Sequence, residues 1–254
     1  MKTSKIFLVG MGFAVFGASL ALGSSSSGGS CSVAGQADSY VLALSWQPAF
    51  CKTVNNKSGK PECDVKDPNA YQAKNFTLHG LWPNRNQCGI NYGFCGPVHQ
   101  AVQPFTNYPQ VSMDNSVRQS LGEVMPSVTF GSALERHEWY KHGTCSQLPA
   151  DAYFSTAQNL VRQFNSSGVS DFMAANLGKS VAVSDFLAVI DQGLGQGTSS
   201  HAHLTCEKGL LVDVQLDLVA PLTAGASLTQ LVQGSGKGSS ARGCGDSFTI
   251  LPIN

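Results

Sequence analysis

The chain has 254 residues, 42% of them apolar and only 13% charged, with 16 Lys and Arg balanced by 16 Asp and Glu. That is enough apolar content for a sizeable core and too little charge for a disordered chain. With no basic tail, no acidic block and a formal net charge of zero, a nucleic-acid-binding role would need local cations rather than a whole-protein field, which weakens any case for tight non-specific duplex binding.

Residues 1–23 read as a secretory signal peptide: Lys2 and Lys5, then an apolar run from Ile6 to Leu22, then small residues that offer cleavage after Ala21 or Gly23. The run is at the short edge for an uncleaved membrane anchor. Losing Lys2 and Lys5 takes 16 cations to 14 against 16 acids, a mature charge of −2. All eight cysteines (31, 51, 63, 88, 95, 145, 206 and 244) follow the signal, and an even count in an exported chain argues for disulfides. Zinc is the rival use, but no Cys-x-x-Cys pair exists. Loop lengths favour Cys51 with Cys63 and Cys206 with Cys244. Export places the protein in the bacterial periplasm or the extracellular space, as a monomer with no membrane attachment after cleavage.

Residues 24–36, rich in Ser and Gly, read as a flexible leader ahead of one domain over 37–254. Tyr40–Trp46 has the length and apolarity of a strand that Pro48 ends. Residues 52–70 read as a loop, and Asn75–Trp82 as a strand terminated by Pro83. From 84 to 113 turn formers dominate a long excursion of the kind that often builds a binding wall, with Cys88 and Cys95 as its staples. Helices are predicted over 116–125, from 135 toward 145, over 151–165 with apolar residues at three- and four-residue steps, over 171–177, and over 184–194 capped by Ser184 or Asp185. Leu210–Val219 alternates as a half-buried strand should, residues 193–200 and 234–245 are polar loops, and Phe248–Ile250 is a last short strand. Strands toward both ends with helices between them predict a single α+β domain with a mostly antiparallel central sheet, packed helices and disulfide staples.

Two stretches carry chemistry. Glu135 to Cys145 (ERHEWYKHGTC) brackets Glu138 and Lys141 between His137 and His142, and Phe76 to Pro83 (FTLHGLWP) sets His79 near Trp82. Histidine exchanges protons near neutrality, so two imidazoles divide naturally into a general base and a general acid. An ammonium such as Lys141 can neutralise charge developing on phosphorus. RNA supplies its own nucleophile, the 2′-hydroxyl. A zinc-hydrolase helix needs His residues four apart, whereas His137 and His142 are five apart and a continuous helix would turn the rings some 140° from each other. His201-Ala202-His203 could ligate a metal, but fits better as a polar loop entering a strand.

The two stretches, in this order and roughly 55 residues apart, resemble the paired active-site signatures of the ribonuclease T2 family. The likeness runs from Tyr40 to the region of Cys206 and Cys244, and Tyr40–Cys51 resembles the bacterial periplasmic members in particular. The resemblance implies an α+β endoribonuclease with no cofactor and no metal, acting on single-stranded RNA. It implies little base specificity and 2′,3′-cyclic phosphate ends that are then open to hydrolysis. It gives His142 the general-base role and His79 the general-acid role, with His137 on the phosphate and Glu138 and Lys141 stabilising the transition state. It gives Trp82 a stacking role on a base, Leu134 a place in the second base site, and Cys145 a disulfide to Cys88 or Cys95. Two features depart from the family pattern. Ser132-Ala133-Leu134 stands where bacterial relatives carry a cysteine, and Cys31 is an added one. Gln47 is one place from a glutamine that many members use near a base, and is left out of the site. A non-catalytic RNA-binding protein on the same fold would not need His79, Glu138, Lys141 and His142 together, and a zinc hydrolase would lose activity to chelators.

Overall fold

The computed structural model describes residues 30–54, 59–222, 225–235 and 243–253. The signal-like run falls outside them. The first strand, β1 (Ser39–Ser45), lies inside the sheet and is almost wholly buried. Pro48 does more than stop it: a proline in a first helical turn forfeits no hydrogen bond, and Gln47–Thr53 winds into α1. The expected loop over 52–70 holds a short 3-10 turn, Pro61–Asp64, and leads to α2 (Tyr71–Lys74).

β2 (Thr77–Asn84) pairs antiparallel with β1. Pro83 does not terminate it but sits opposite Tyr40, tolerated because β2 is the edge strand and needs no bond outward. The pairing slips between Ala43 and Leu44, which face Gly80 and Leu78, so His79 is the extra residue of a β-bulge. Next come α3 (Asn115–Val124), α4 (Pro126–Phe130), α5 (Leu134–Lys141), α6 (Ala150–Phe164), α7 (Ser170–Ala175), β3 (Ser180–Ala182) and α8 (Val183–Leu194). Neither Ser184 nor Asp185 caps α8. The helix starts at Val183, which puts both residues inside its first turn, and the Val183 N–H is satisfied by the Asp246 carbonyl at 2.9 Å.

β4 (Ala202–Glu207) and β5 (Leu210–Val219) form a hairpin, and β5 also pairs antiparallel with β1. After α9 (Leu228–Gln233), β6 (Ser247–Thr249) touches β5 in parallel at one residue pair and carries β3 beyond it. The result is the expected α+β domain: an almost entirely antiparallel sheet ordered β2-β1-β5-β6-β3, with β4 also on β5.

The core is aromatic where the sheet meets the helices. Phe76 contacts Trp46 and Phe164, each at a 5.4 Å ring separation, and Phe186 bridges from Phe76 to Phe248. Burying such rings is the largest apolar gain in the fold. Two polar ties hold β2 on either side of His79. The Asn165 amide closes on both backbone groups of Phe76, at 3.0 and 2.9 Å, and the Tyr153 hydroxyl on α6 donates to the Leu81 carbonyl at 2.6 Å. Asn165 is thereby spent inside the protein.

All eight cysteines pair: Cys31–Cys88, Cys51–Cys63, Cys95–Cys145 and Cys206–Cys244. The leader expected to be flexible through residue 36 is therefore tied down from Cys31 onward, and the Gly35 N–H also donates to the Cys145 carbonyl at 2.9 Å. Among the described residues no helix is long and apolar enough to cross a membrane.

Candidate active site

The β-bulge at His79 builds the first half of the site. In a regular strand residues three apart point to opposite faces, so His79 and Trp82 should not meet. The extra residue changes that parity, which is what bulges beside active sites do. The two rings meet edge to face at 5.2 Å. His79 Nδ1 lies 3.3 Å from Asp213 Oδ2 on β5, and Asp213 is in turn held by Ser45 Oγ at 3.1 Å and Gln215 Nε2 at 3.2 Å. Burial lowers the affinity of the imidazole for a proton, but the hydrogen bond and charge of Asp213, with Glu138 behind them, outweigh it and raise the pKa above 6.5.

α5 builds the second half. It ends at Lys141, and His142 leaves helical geometry at φ −115° and ψ −55°. The 140° separation expected of His137 and His142 assumed a helix that continued. Because it stops, their ring centroids come to 6.5 Å. His142 stacks on Trp82 at 5.4 Å and 26°, so Trp82 is the plate between the two halves. The indole N–H of Trp82 donates to Glu138 Oε2 at 2.7 Å. Burial raises the Glu138 carboxyl above its ordinary value although His79, this N–H and Lys141 pull the other way.

His142 is driven in the direction opposite to His79. Burial first, then the charge of Lys141 and the neighbouring imidazoles, push its pKa well below 6.5, and its Nδ1 is buried without a hydrogen-bond partner. His137 is lowered to about 4 by burial, Lys141 and His79. Its ring lies flat on Phe105 at 4.5 Å, and its Nδ1 is 3.1 Å from the Tyr108 hydroxyl. That hydroxyl also accepts the Val102 N–H at 2.9 Å, which fixes it beside the imidazole. Arg136 fastens this wall by donating to the Thr106 and Tyr108 carbonyls. The carbonyl of Lys141 receives the Phe94 N–H at 2.8 Å, which packs the long 84–113 excursion against the site.

All five residues singled out for catalysis therefore converge with Trp82. Leu134 lies apart from Trp82, in a neighbouring cavity of about 260 Å³ that His79 and His137 also line. Gln47, left out of the site on sequence grounds, lines that cavity and accepts the Thr77 hydroxyl at 3.3 Å. Asp213, Phe105 and Tyr108 were also missed. Asp213 had a legible signal, a lone acid inside the apolar Leu211-Val212-Asp213-Val214 run, where a buried charge needs a partner. His201 and His203 are elsewhere, bonded to Ser235 and Asp217, and no three His, Cys, Asp or Glu among the described residues could together hold a metal ion.

Residues 37–228 of this α+β chain match the model of the ribonuclease T2 family. The chain belongs to that family, and it is an endoribonuclease. It is similar to ribonuclease I of Escherichia coli (strain K12), with 31% identity over 242 residues, 85% of this chain and 87% of that one. Ribonuclease 1 of Arabidopsis thaliana is 30% identical over 165 residues, 62% of this chain and 65% of the relative. The fold is also that of a mutant of ribonuclease MC1, with TM-score 0.56, 20% identity, and 84% and 99% of the two chains covered. Ribonuclease NT in complex with 5′-AMP superposes with TM-score 0.53 and 21% identity over 85% and 98% of the chains.

Proposed function

We propose that this protein is an exported, metal-independent endoribonuclease that cleaves single-stranded RNA by transesterification. His142, neutral at working pH, removes the 2′-hydroxyl proton, and the 2′-oxygen attacks the adjacent phosphorus. His79 donates its Nε2 proton to the departing 5′-oxygen as the P–O5′ bond breaks, leaving a 2′,3′-cyclic phosphate. Reversal of the two roles with water as nucleophile then opens the ring to a 3′-phosphate. Lys141 and the His137 imidazole face the charge developing on the phosphoryl oxygens, and Glu138 holds the cluster through Trp82. One observation carries this reading: two imidazoles beside a single indole, one environment raising the pKa and the other lowering it. Pairs of titratable groups pushed apart in this way mark an acid and a base.

The same division orders the substrate. The cavity with Leu134 is lined by His79 and not by His142, so it takes the base of the departing nucleotide, 3′ to the cut. Trp82, which lies outside that cavity and against the His142 ring, stacks on the base of the nucleotide that supplies the 2′-hydroxyl. Stacking tolerates any base, which supports low overall specificity. Ribonuclease NT binds a mononucleotide, 5′-AMP, on this fold, and that supports a nucleotide-sized ligand here. The four disulfides and the signal-like start support export to an oxidising compartment.

The test is cleavage of mixed-sequence RNA in excess EDTA with a matched DNA control. Undiminished cleavage of RNA alone, yielding 2′,3′-cyclic ends, is expected. Cleavage that EDTA stops, or cleavage of the DNA, would overturn the mechanism. A second measurement isolates Asp213. Asp213→Asn removes the charge that keeps His79 protonated, so the alkaline limb of the kcat/KM profile should move to lower pH while the acid limb stays in place. An unmoved alkaline limb would remove Asp213 from the mechanism.

A further inference from the structure

Two residues that line the cavity beside His79 carry buried oxygens that the protein itself does not satisfy. Glu62 is 5% exposed and Ser127 4%, yet neither Glu62 Oε2 nor Ser127 Oγ has a hydrogen-bond partner, and both residues line the cavity. Lys60, on the same wall, is in no ion pair among the described residues, and its ammonium stands 5.3 Å from the centre of the Phe50 ring. Gln47 has its carbonyl oxygen occupied by Thr77, while its amide nitrogen reaches only Cys51 Sγ at 3.5 Å. Buried polar groups are nearly always paired, so orphaned acceptors in a cavity of about 260 Å³ point to a ligand that brings donors.

We propose that Glu62 makes this cavity prefer guanine as the base 3′ to the cleaved bond. The inference rests on the reading of the site as RNA-cleaving with His79 on the leaving side. Guanine is the base whose Watson–Crick edge sets two N–H donors, N1–H and the N2 amino group, next to each other, and a carboxylate accepts such a pair. Its O6, adjacent to N1–H, suits the amide nitrogen of Gln47, and Ser127 Oγ can take either role. Uracil offers a single N3–H between two carbonyl oxygens, and those oxygens would face the carboxylate. Adenine and cytosine bring one amino group beside a ring acceptor and fall between the two. Unstacked RNA bases are read on this edge. The preference is graded: bonds ahead of all four bases are cleaved, in keeping with the low specificity of the Trp82 side.

The experiment compares kcat/KM for the dinucleotides UpG and UpU, which differ only in the 3′ base. The protein should cleave UpG faster by roughly tenfold or more, the discrimination of one good bidentate pair. Glu62→Gln, which exchanges one acceptor for a donor at constant shape, should narrow that ratio to less than about threefold on the same scale. Because Glu62 is buried, its thermal midpoint is measured alongside. Should the variant not fold, inhibition of the unaltered protein decides, with 5′-GMP expected to be roughly tenfold more potent than 5′-UMP. Equal rates, a ratio that Glu62→Gln leaves unchanged, or equal inhibition would overturn the preference while leaving the catalytic reading intact. Failure to cleave either dinucleotide would instead sink the parent reading and this one with it.

Discussion

His79→Ala and His142→Ala are each expected to reduce cleavage of mixed-sequence RNA by about 10²–10⁴-fold, the range that a positioned proton-transfer group contributes. The thermal midpoint is measured beside the kinetics, because His79→Ala also takes from Asp213, 7% exposed, one of its three partners. The unaltered enzyme should show a bell-shaped kcat/KM profile whose sign follows from the two environments. Activity needs His142 neutral and His79 protonated. The His142 pKa lies well below 6.5, so the rise with increasing pH is complete before neutrality. The His79 pKa lies above 6.5, so the fall comes on the alkaline side. In His79→Ala the alkaline limb should vanish, and in His142→Ala the acid limb. Full activity in either variant, or a limb lost from the wrong side, would reverse or remove the assignment.

Much of this architecture was legible in the sequence because the signals were local. The apolar steps of α6 and the alternation of β5 each follow from one period, and both elements form within a residue or two of their expected bounds. α9 was also legible and passed over: Ser227 and Gln230 make a full capping box, the pattern Ser-x-x-Gln ahead of an apolar pair. What the sequence could not yield depended on pairing between distant segments. The bulge at His79 exists only in the register of β2 against β1, and no reading of β2 alone places His79 and Trp82 on one face. Asp213 reaches His79 across 134 residues. The early end of α5, which brings His137 and His142 together, also has a distant cause. Cys145 is bonded to Cys95, and the Lys141 carbonyl is taken by the Phe94 N–H.

The close packing at the bulge makes Gly80→Ala a severe change for so small a one. A Cβ at residue 80 would overlap both Glu138 Oε2 and Trp82 Nε1, the two atoms whose 2.7 Å hydrogen bond joins the halves of the site. Neither atom has room to yield, since Glu138 is 2% exposed and the indole is stacked on His142. A hydrogen bond to a carboxylate contributes roughly 1.5–3 kcal/mol, and losing it would cost about 10- to 150-fold if the whole loss fell on the transition state. Displacing His142 with the indole adds to that, because misplacement by about 1 Å can cost 10²-fold by itself. Gly80→Ala should therefore fall by at least about 10²-fold in kcat/KM on this estimate. Trp82→Phe deletes the N–H while keeping a ring against His142, so it should lose only the hydrogen-bond share, roughly 10-fold or somewhat more. Steady-state kinetics on the two variants, with thermal midpoints measured beside them, separate alignment from simple unfolding. A Gly80→Ala enzyme as active as the unaltered one would mean that the Trp82–Glu138 contact does not align the histidines.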